Sequence, residues 1–318
     1  MAEPAARPLR VTHCPVNMAG TGWTNVQALR RKGLDARLVV FNPQKWRPDE
    51  YDETINRPRN GFVRQQLVQW RAFAGLLPRT DVFHFYFGIT LVPKSIQFPL
   101  LRATGRKSVI HWLGADIRER PREQLAYGRR ADAQVVGSYA ARHYVPEAIV
   151  IPPGIELSRF QPVPAVERGR IRVVHAPSDK EKKGTEYIIA ACEQLPVDLD
   201  VIHGVPNTEA LARYADADIV IDQVLRDWHG VFTIESMALG KPVVTSLDEE
   251  AVRETEASFG VGLPVVAATK DNLVEKLRPL VESFEERKRL GAEGRAYVER
   301  VHDIDKIADR LIELYESL

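Results

Sequence analysis

Two acidic residues eight positions apart, Asp227 and Glu235, flank a glycine in the second half of the chain. The segment follows an apolar run, turns through Gly230 and continues into a helical pattern. A glycine directly before a helix exposes backbone N–H groups, and the helix dipole adds partial positive charge, so such a turn favours a phosphate. Glu235 lies near enough to the helix start to accept hydrogen bonds from the vicinal hydroxyls of a ribose. The alternative is an ordinary strand–loop–helix in which Glu235 is a solvated acid.

A second polar segment, residues 175–185, follows another apolar run and carries three lysines before a glycine. A lysine directed at a diphosphate would neutralise the charge that develops on the leaving group as a bond breaks. Lys183 is the best candidate because it directly precedes Gly184 and a predicted helix. A solvated turn, the usual environment of a run of charges, is the alternative.

Both segments follow apolar runs, so strands would place them at the carboxyl ends of a sheet. Short apolar runs that predict strands occur throughout the chain. The runs are rich in β-branched or aromatic residues, are bounded by Gly, Pro or Asp, and alternate with helical patterns. This βαβα rhythm predicts parallel sheets covered by helices. We predict strands over residues 9–13, 34–41, 81–87, 107–113, 133–137, 171–175, 199–203, 218–222, 242–246 and 262–266.

A proline-rich stretch interrupts this rhythm midway along the chain. Residues 149–164 contain four prolines, which exclude a continuous helix or central strand and indicate a connector. We predict an α/β protein with two tandem Rossmann-like, doubly wound domains that face a central cleft, where the ligand binds. The predicted segments are an N-terminal domain (1–152), a linker (153–165), a C-terminal domain (166–302) and a terminal helix (303–318) that packs back on the N-terminal domain.

Composition and cysteine content exclude several classes of protein. The chain has 318 residues, of which 44% are hydrophobic and 27% charged, as in globular rather than disordered proteins. Its two cysteines, Cys14 and Cys192, are too few for a disulfide framework; without a signal-peptide pattern, they predict a cytoplasmic protein. No apolar run approaches the roughly 20 residues of a membrane span, and no His/Cys cluster has metal-ligand spacing.

The net charge of +1 conceals two halves of opposite sign. Residues 1–160 contain 24 Lys and Arg against 13 Asp and Glu, whereas residues 161–318 contain 20 against 30. The basic half predicts contact with an anionic acceptor or, peripherally, with an anionic membrane surface, and no nucleic-acid partner is expected. We interpret one apolar helix face in residues 61–77 as core, the alternative being a helix that meets a membrane or a lipid-linked acceptor. This face comprises Phe62, Trp70, Phe73 and Leu77.

Four motifs, in the same order as in the family, resemble the retaining glycosyltransferases of the GT-B fold (family-4 type, glycosyl transferases group 1). Asp227 and Glu235 resemble the two acids of the E-x7-E signature, and residues 235–243 resemble its continuation AMA-x-G-x-PV. Residues 153–162 resemble the family's domain-joining P-N-G-V-D segment. Residues 114–116 and 131–138 resemble its H-G-x-D and A-D-x5-S segments.

The resemblance implies a hexosyltransferase that moves a sugar from a nucleoside diphosphate sugar, most often a UDP-sugar, to a hydroxyl acceptor. The acceptor would be a glycan, a lipid-linked or a small molecule, bound by the N-terminal domain; the C-terminal domain would bind the donor. The anomeric configuration would be retained without a metal ion or a cofactor. By position, Glu235 would hold the ribose, Asp227 a hydroxyl of the transferred sugar, Lys183 the diphosphate, and the amides of Gly230, Val231 and Phe232 the sugar and diphosphate.

Further positions either match the family loosely or depart from it. The loop that contains Gly20 and Gly22 resembles the family's glycine-rich loop between acceptor and donor. Ser178 stands where the family usually has an Arg for the diphosphate. Leu113 replaces the His of H-G-x-D; His111, two residues earlier on the strand, would point the same way, although a core histidine is an equal interpretation. Asp116 is the acid of that motif.

Two other functions remain open at this stage. A GT-B epimerase would use the same sugar nucleotide without an acceptor, and a sugar-nucleotide-binding subunit would have no activity. A nicotinamide cofactor is disfavoured because the first loop lacks G-x-G-x-x-G. Asp198 and Asp200 spell D-x-D at the entry to an apolar strand, and we interpret this as chance.

Overall fold

The computed structural model describes residues 7–44, 48–118, 120–205 and 207–318. The chain divides into two compact units. Unit 1 contains the chain up to Gly137, residues Ala141–Gly154 and the terminal segment Ile304–Leu318. Unit 2 contains Ser138–Ala140 and Ile155–Asp303.

Unit 1 is built on a seven-stranded sheet in which every described pair of neighbouring strands is parallel. The strand order is β3-β2-β1-β4-β5-β6-β7, so the direction of winding reverses between β1 and β4. The strands are β1 (Arg10–Cys14), β2 (Asp35–Val40), β3 (Glu53–Thr54), β4 (Val82–Tyr86), β5 (Lys107–Trp112), β6 (Ala133–Val136) and β7 (Ile149–Val150).

Helices and their apolar side chains cover this sheet. The terminal helix α13 lies against α1, and its Ile307, Leu311 and Leu314 are buried in a core cluster shared with β1 and β2. A second cluster contains Phe73 of α2 and Phe98 of α3. The described helices are α1 (Thr21–Arg31), α2 (Phe62–Leu76), α3 (Lys94–Ala103), α4 (Arg122–Leu125) and α13 (Ile304–Ser317). The residues of α5 (Tyr139–Arg142) are divided between the two units.

A buried series of hydrogen bonds, here called the histidine chain, crosses the centre of the unit 1 sheet. Three histidines on neighbouring strands form its middle, and two tyrosine hydroxyls link them. Tyr86 Oη accepts an N–H from Asn25, so its own proton is available for donation to His13. The remaining bonds are all satisfied if each histidine is neutral and carries its proton on Nε2. The chain runs Asn25–Tyr86–His13–Tyr315–His84–His111, with successive distances of 2.8, 2.8, 3.2, 2.7 and 3.1 Å.

Unit 2 has a five-stranded parallel sheet with the order β12-β11-β10-β8-β9. The winding reverses between β8 and β10. The strands are β8 (Ile171–His175), β9 (Val197–Val201), β10 (Ile219–Ile221), β11 (Val243–Thr245) and β12 (Val266–Ala267). The helices are α6 (Lys180–Lys183), α7 (Thr185–Cys192), α8 (Asn207–Ala215), α9 (Val231–Ala238), α10 (Glu249–Phe259), α11 (Leu273–Glu282) and α12 (Phe284–Val301).

The two parallel sheets covered by helices confirm the predicted fold class, with local corrections. Helix α10 was not predicted because its buried residues, Ala251 and Thr255, are small and leave no large apolar stripe in the sequence. Strand β7 lies inside the predicted connector. The sequence pattern predicts one helix over residues 119–130, but the structure has only the single turn of α4 and a 3-10 segment, Ala126–Arg130, there. Residue 119 lies outside the described residues. No described helix is long and apolar enough to span a membrane.

The apolar face predicted for residues 61–77 was partly wrong. Phe73 is buried, and Trp70 and Leu77 are partly buried against the same cluster. Phe62 instead exposes 75% of its surface. It shares a helix side with Phe73 but lies about three turns earlier, outside the core cluster.

Candidate functional site

The predicted lysine and glycine segments of unit 2 meet at the reversal point of its sheet. Doubly wound sheets bind ligands at the carboxyl ends of the strands beside such a point. The loop after β8 leads into α6 and Lys183, and the loop after β10 leads to Gly230 and α9.

The centre of this site is Asp222, the residue that directly follows β10. Its side chain is completely buried. Its Oδ1 lies 2.5 Å from Lys183 Nζ, and its Oδ2 accepts hydrogen bonds from Gly230 N at 2.7 Å and Thr233 Oγ1 at 2.9 Å. One carboxylate therefore ties the lysine loop to the first turn of α9.

The two charged groups of this pair differ in their exposure to solvent: the Asp222 carboxylate is buried, and the Lys183 ammonium is partly exposed. Burial alone would raise the pKa of Asp222, but the Lys183 ammonium, the Gly230 amide and the Thr233 hydroxyl together lower it below its ordinary value. The Lys183 side chain keeps 19% of its surface exposed. An ammonium has three donors, so Lys183 can bind Asp222 and still present N–H groups to a ligand.

Local backbone structure holds Lys183 in this position. Asp179 caps α6 by accepting a hydrogen bond from Lys182 N, and Gly184 ends the helix with φ +76°. A Cβ at Gly184 would lie 2.6 Å from Val224 Cγ2, so that position requires glycine both for its φ and for its packing. The glycine was predicted, whereas the lysine run, predicted to be a loop, forms the short helix α6.

The loop between β10 and α9 is shaped by a buried amide, Gln223. Its Oε1 accepts hydrogen bonds from the backbone N–H groups of Leu225 and Arg226, and its Nε2 donates to Ser246 O at 2.9 Å. Its Nε2 also donates to Trp228 O at 3.3 Å. Gln223 thus fixes the backbone leading to Asp227 and Gly230.

His175, at the end of β8, has a supporting role. Its Nδ1 lies 2.9 Å from Ile221 O, which only accepts, so Nδ1 carries the proton and Nε2 accepts from Thr185 Oγ1 at 2.9 Å. Burial lowers its pKa despite that carbonyl and nearby Asp222, which act to raise it. The neutral ring joins β8, β10 and α7.

The structure places the other predicted unit 2 residues in this neighbourhood. Gly230 precedes α9, and its amide donates to Asp222 at 2.7 Å. The amides of Val231 and Phe232 have no acceptor among the described residues, as is usual for the first turn of a helix. Glu235, partly exposed, lies one turn further along α9.

Asp227 and Ser178 lie in the two loops that border the site. Asp227 is partly exposed, and its carbonyl accepts a hydrogen bond from Asp248 N at 2.8 Å. Ser178 is exposed in the loop after β8.

The unit 1 candidates occupy the carboxyl ends of β1 and β5. Gly20 has φ +78°, and a Cβ on Gly22 would lie 3.1 Å from Leu38 Cδ1, which gives that glycine a packing role. His111 is 3% exposed in the histidine chain, and burial lowers its pKa to about 3.

Asp116 lies in the turn that follows β5. Its Oδ1 accepts from Leu113 N at 2.9 Å, and its Oδ2 has no hydrogen-bond partner among the described residues. Burial raises its pKa to about 6.

Sequence reasoning missed Asp222 and Gln223. Both lie just after a predicted central strand, and the strand prediction over 218–222 included Asp222 as an ordinary terminal residue. A polar pair at the carboxyl end of a buried strand was the available signal. Within the described residues, no group of three or more His, Cys, Asp or Glu side chains is arranged to hold a metal ion.

Residues 163–297, which include this site, match the family described as Glycosyl transferases group 1. All of the matched residues lie in unit 2. The group 1 match covers α9 and its acidic signature, as the predicted resemblance required.

Known proteins resemble the chain beyond the group 1 domain. It is 25% identical over 197 residues to the MMP alpha-(1->4)-mannosyltransferase of Mycolicibacterium hassiacum, an alignment that covers 53% of this chain and 48% of that protein. The chain thus spans about half the length of that relative.

Two solved structures share the fold of the whole chain. Sucrose-phosphate synthase from Thermosynechococcus elongatus has a TM-score of 0.72 and 17% identity, covering 98% of this chain and 99% of that one. HepE of Anabaena, solved with UDP and glucose, has a TM-score of 0.70 and 13% identity, covering 98% and 100%. These likenesses establish the predicted two-domain GT-B fold.

Proposed function

We propose that the chain is a retaining glycosyltransferase that moves a sugar from a UDP-sugar to an acceptor hydroxyl without a metal ion. The observation that carries the proposal is Lys183 Nζ, held by buried Asp222 next to the first turn of α9 in the group 1 domain. The mannosyltransferase similarity and the HepE structure with UDP and glucose support a nucleotide-sugar donor.

The donor diphosphate is assigned to Lys183 and the start of α9. Asp222 occupies one N–H of the ammonium, and the exposed part of Lys183 offers the others to phosphate oxygens. The free amides of Val231 and Phe232 and the α9 dipole add positive potential where charge develops on the leaving group. The fixed ammonium and the helix terminus would thus neutralise the charge of the leaving diphosphate, as a metal ion does in other transferases.

Glu235 is assigned to the donor ribose and Asp227 to the transferred sugar. The phenol of Tyr214 links Glu235 to the site: burial raises its pKa, and the charges of Glu235 and Asp222 raise it further. The Tyr214 ring packs on Phe232 with ring centroids 4.6 Å apart. Glu235 lies three residues after Phe232 and therefore on the side of α9 that packs on Tyr214.

The proposed reaction exchanges one bond at the anomeric carbon. The bond from this carbon to the donor phosphate oxygen breaks, the acceptor oxygen bonds to the same face, and the acceptor proton passes to the leaving phosphate. The products are a glycoside and UDP. We assign the acceptor, an anionic or lipid-linked molecule, to basic unit 1.

The proposal is tested first by measuring donor binding and then by analysing the reaction products. UDP-, GDP- and ADP-sugars are compared by thermal shift, where a donor at 100 times its Kd adds about 2.7 kcal/mol of stability. A UDP-sugar should stabilise the protein and, with acceptor present, yield a product whose anomeric configuration by NMR matches the donor. Turnover should survive EDTA.

Matched variants connect the activity to the site. Glu235→Ala should reduce transfer at least about 100-fold, the scale for losing one positioned transition-state contact. Lys180→Ala, in exposed α6, should leave transfer unchanged. Formation of an epimer from the donor alone would show that the protein is an epimerase rather than a transferase. Donor binding without hydrolysis or transfer would show that it is a sugar-nucleotide-binding subunit.

A further inference from the structure

The exposed side of α2 in unit 1 carries an unusual concentration of apolar surface. Phe62, Val63 and Leu67 expose 75%, 70% and 66% of their surface. Val63 and Leu67 are one helical turn apart, and Ala74, seven residues after Leu67, continues the same exposed side. Single exposed apolar residues are ordinary, but a contiguous group on one helix indicates an interaction surface.

Arginines border this side of α2. Arg64 and Arg71, seven residues apart, lie beside the Val63–Leu67 row, and Arg59 precedes the helix. All three are exposed, and none forms an ion pair within the described residues. The sequence contains no Asp or Glu from residue 54 to residue 80. We call these six residues, Arg59, Phe62, Val63, Arg64, Leu67 and Arg71, the α2 patch.

The rest of α2 anchors the patch to the sheet. Gln69, Phe73 and Leu76 are buried, and the Gln69 side chain donates to Leu91 O at 2.6 Å. The helix therefore lies along the surface with one side in the core and another in solvent. This is the arrangement of an interfacial helix that inserts apolar residues while its cations remain at headgroup level.

We propose that the α2 patch docks on an anionic lipid bilayer. The inference goes beyond the proposed transferase activity and does not rest on it. Unit 1 contains 25 Lys and Arg against 16 Asp and Glu, whereas unit 2 contains 19 against 27, so the patch lies on the cationic unit. Cations near an anionic headgroup layer attract it within a Debye length, and the apolar residues then add burial.

Charge argues against a second copy as the occupant. A two-fold dimer through this patch would place the same surface against itself and bring Arg64 and Arg71 near their copies. Like charges brought together without an acid would oppose that contact. An anionic lipid layer instead supplies the opposite charge and the apolar interior in one partner.

The test measures co-sedimentation of the whole protein with vesicles of phosphatidylcholine alone or mixed equally with phosphatidylglycerol. Binding should occur to the mixed vesicles and weaken as salt is raised. Val63→Ser with Leu67→Ser should lower the partition coefficient at least about tenfold. Arg64→Gln with Arg71→Gln should lower it about fivefold per charge.

Matched changes on unit 2 serve as controls. Val166→Ser and Arg253→Gln alter comparably exposed residues there and should leave partitioning unchanged. Thermal unfolding of every variant should match the parent because all the altered side chains are exposed. Absence of vesicle binding, binding insensitive to the patch variants, or loss of a dimer on gel filtration of the Val63/Leu67 variant would each overturn the proposal.

Discussion

Lys183 Nζ lies 2.5 Å from Oδ1 of Asp222, a carboxylate 39 residues later in the chain that solvent does not reach. The pair joins the loops that follow β8 and β10, the two strands on either side of the reversal point in the unit 2 sheet. A buried charge is tolerated only with a partner, so the position of Lys183 is fixed by the needs of Asp222.

Replacing Asp222 should destabilise unit 2. Asp222→Asn leaves Lys183 without its counter-charge and should lower the free energy of unfolding by about 3 kcal/mol, measured by urea denaturation. Asp216→Asn is the control, since Asp216 is exposed and pairs at the surface with Arg168 and Arg172, contacts worth at most about 1 kcal/mol each. Equal losses in both variants would show that the buried pair has no special role.

A double-mutant cycle should separate stability from donor binding. Lys183→Met alone leaves Asp222 buried and unpaired and should cost about 3 kcal/mol. Adding Asp222→Asn should recover at least about 1 kcal/mol because the residues are in direct contact and their effects are not additive. A UDP-sugar should produce no thermal shift in Lys183→Met or in the double variant. A thermal shift in the double variant would show that Lys183 does not bind the diphosphate.

The glycine after α6 should tolerate no side chain. Gly184→Ala combines a φ of +76° with a Cβ 2.6 Å from Val224 Cγ2. Gly33→Ala is matched, with a φ of +90° and no atom within 4 Å of the new Cβ. Backbone strain of about 1–2 kcal/mol is common to both, and overpacking should add about 1–3 kcal/mol at Gly184 alone. Comparable urea midpoints for the two variants would contradict the packing argument.

Unit 1 should lose stability in acid because its histidine chain is buried. Burial lowers the pKa of His13 and His111 to about 3 and that of His84 well below its ordinary value, with repulsion among the three contributing at His13 and His84. The unfolded chain binds these protons below about pH 6.5 and the folded chain does not, so stability is full above that pH and falls towards pH 3.

The expected acid loss is large enough to measure. Three such histidines lower the free energy of unfolding by about 6 kcal/mol between pH 7 and pH 5. Hydrogen exchange of the amides in β1, β4 and β5 reports it, and His84→Gln should reduce the pH dependence by about a third. Replacing His143, an exposed residue, provides the control, and a pH dependence unaltered by His84→Gln would refute the assignment.

The sequence predicted the fold well because apolar runs and their bounding residues carry the βαβ pattern locally. Ten predicted strands overlap observed ones. Strands β3 and β7, two residues each, were too short for any periodicity, and α10 buries only small side chains.

The candidate site was predicted in outline, and its centre was missed. Motif resemblance indicated Lys183, Gly230 and Glu235, yet the carboxylate that joins the first two lies outside every quoted motif. The Asp222 contact depends on which strands are neighbours, and strand order is not a local property of the sequence. The same reason hid the fact that Phe62 and Phe73, on one side of α2, have opposite environments.

Helix α13 makes the core of unit 1 dependent on residues that are synthesised after the whole of unit 2. Its Leu311 and Tyr315 complete the core and the histidine chain of a sheet whose seven strands lie within residues 10–150. During translation, that sheet must wait for residues 304–317 with one apolar face incompletely covered. Unit 2, whose chain ends at Asp303, can close earlier. The order of synthesis and the order of completed folding are therefore reversed, and a premature stop just after residue 303 would damage the distant N-terminal half.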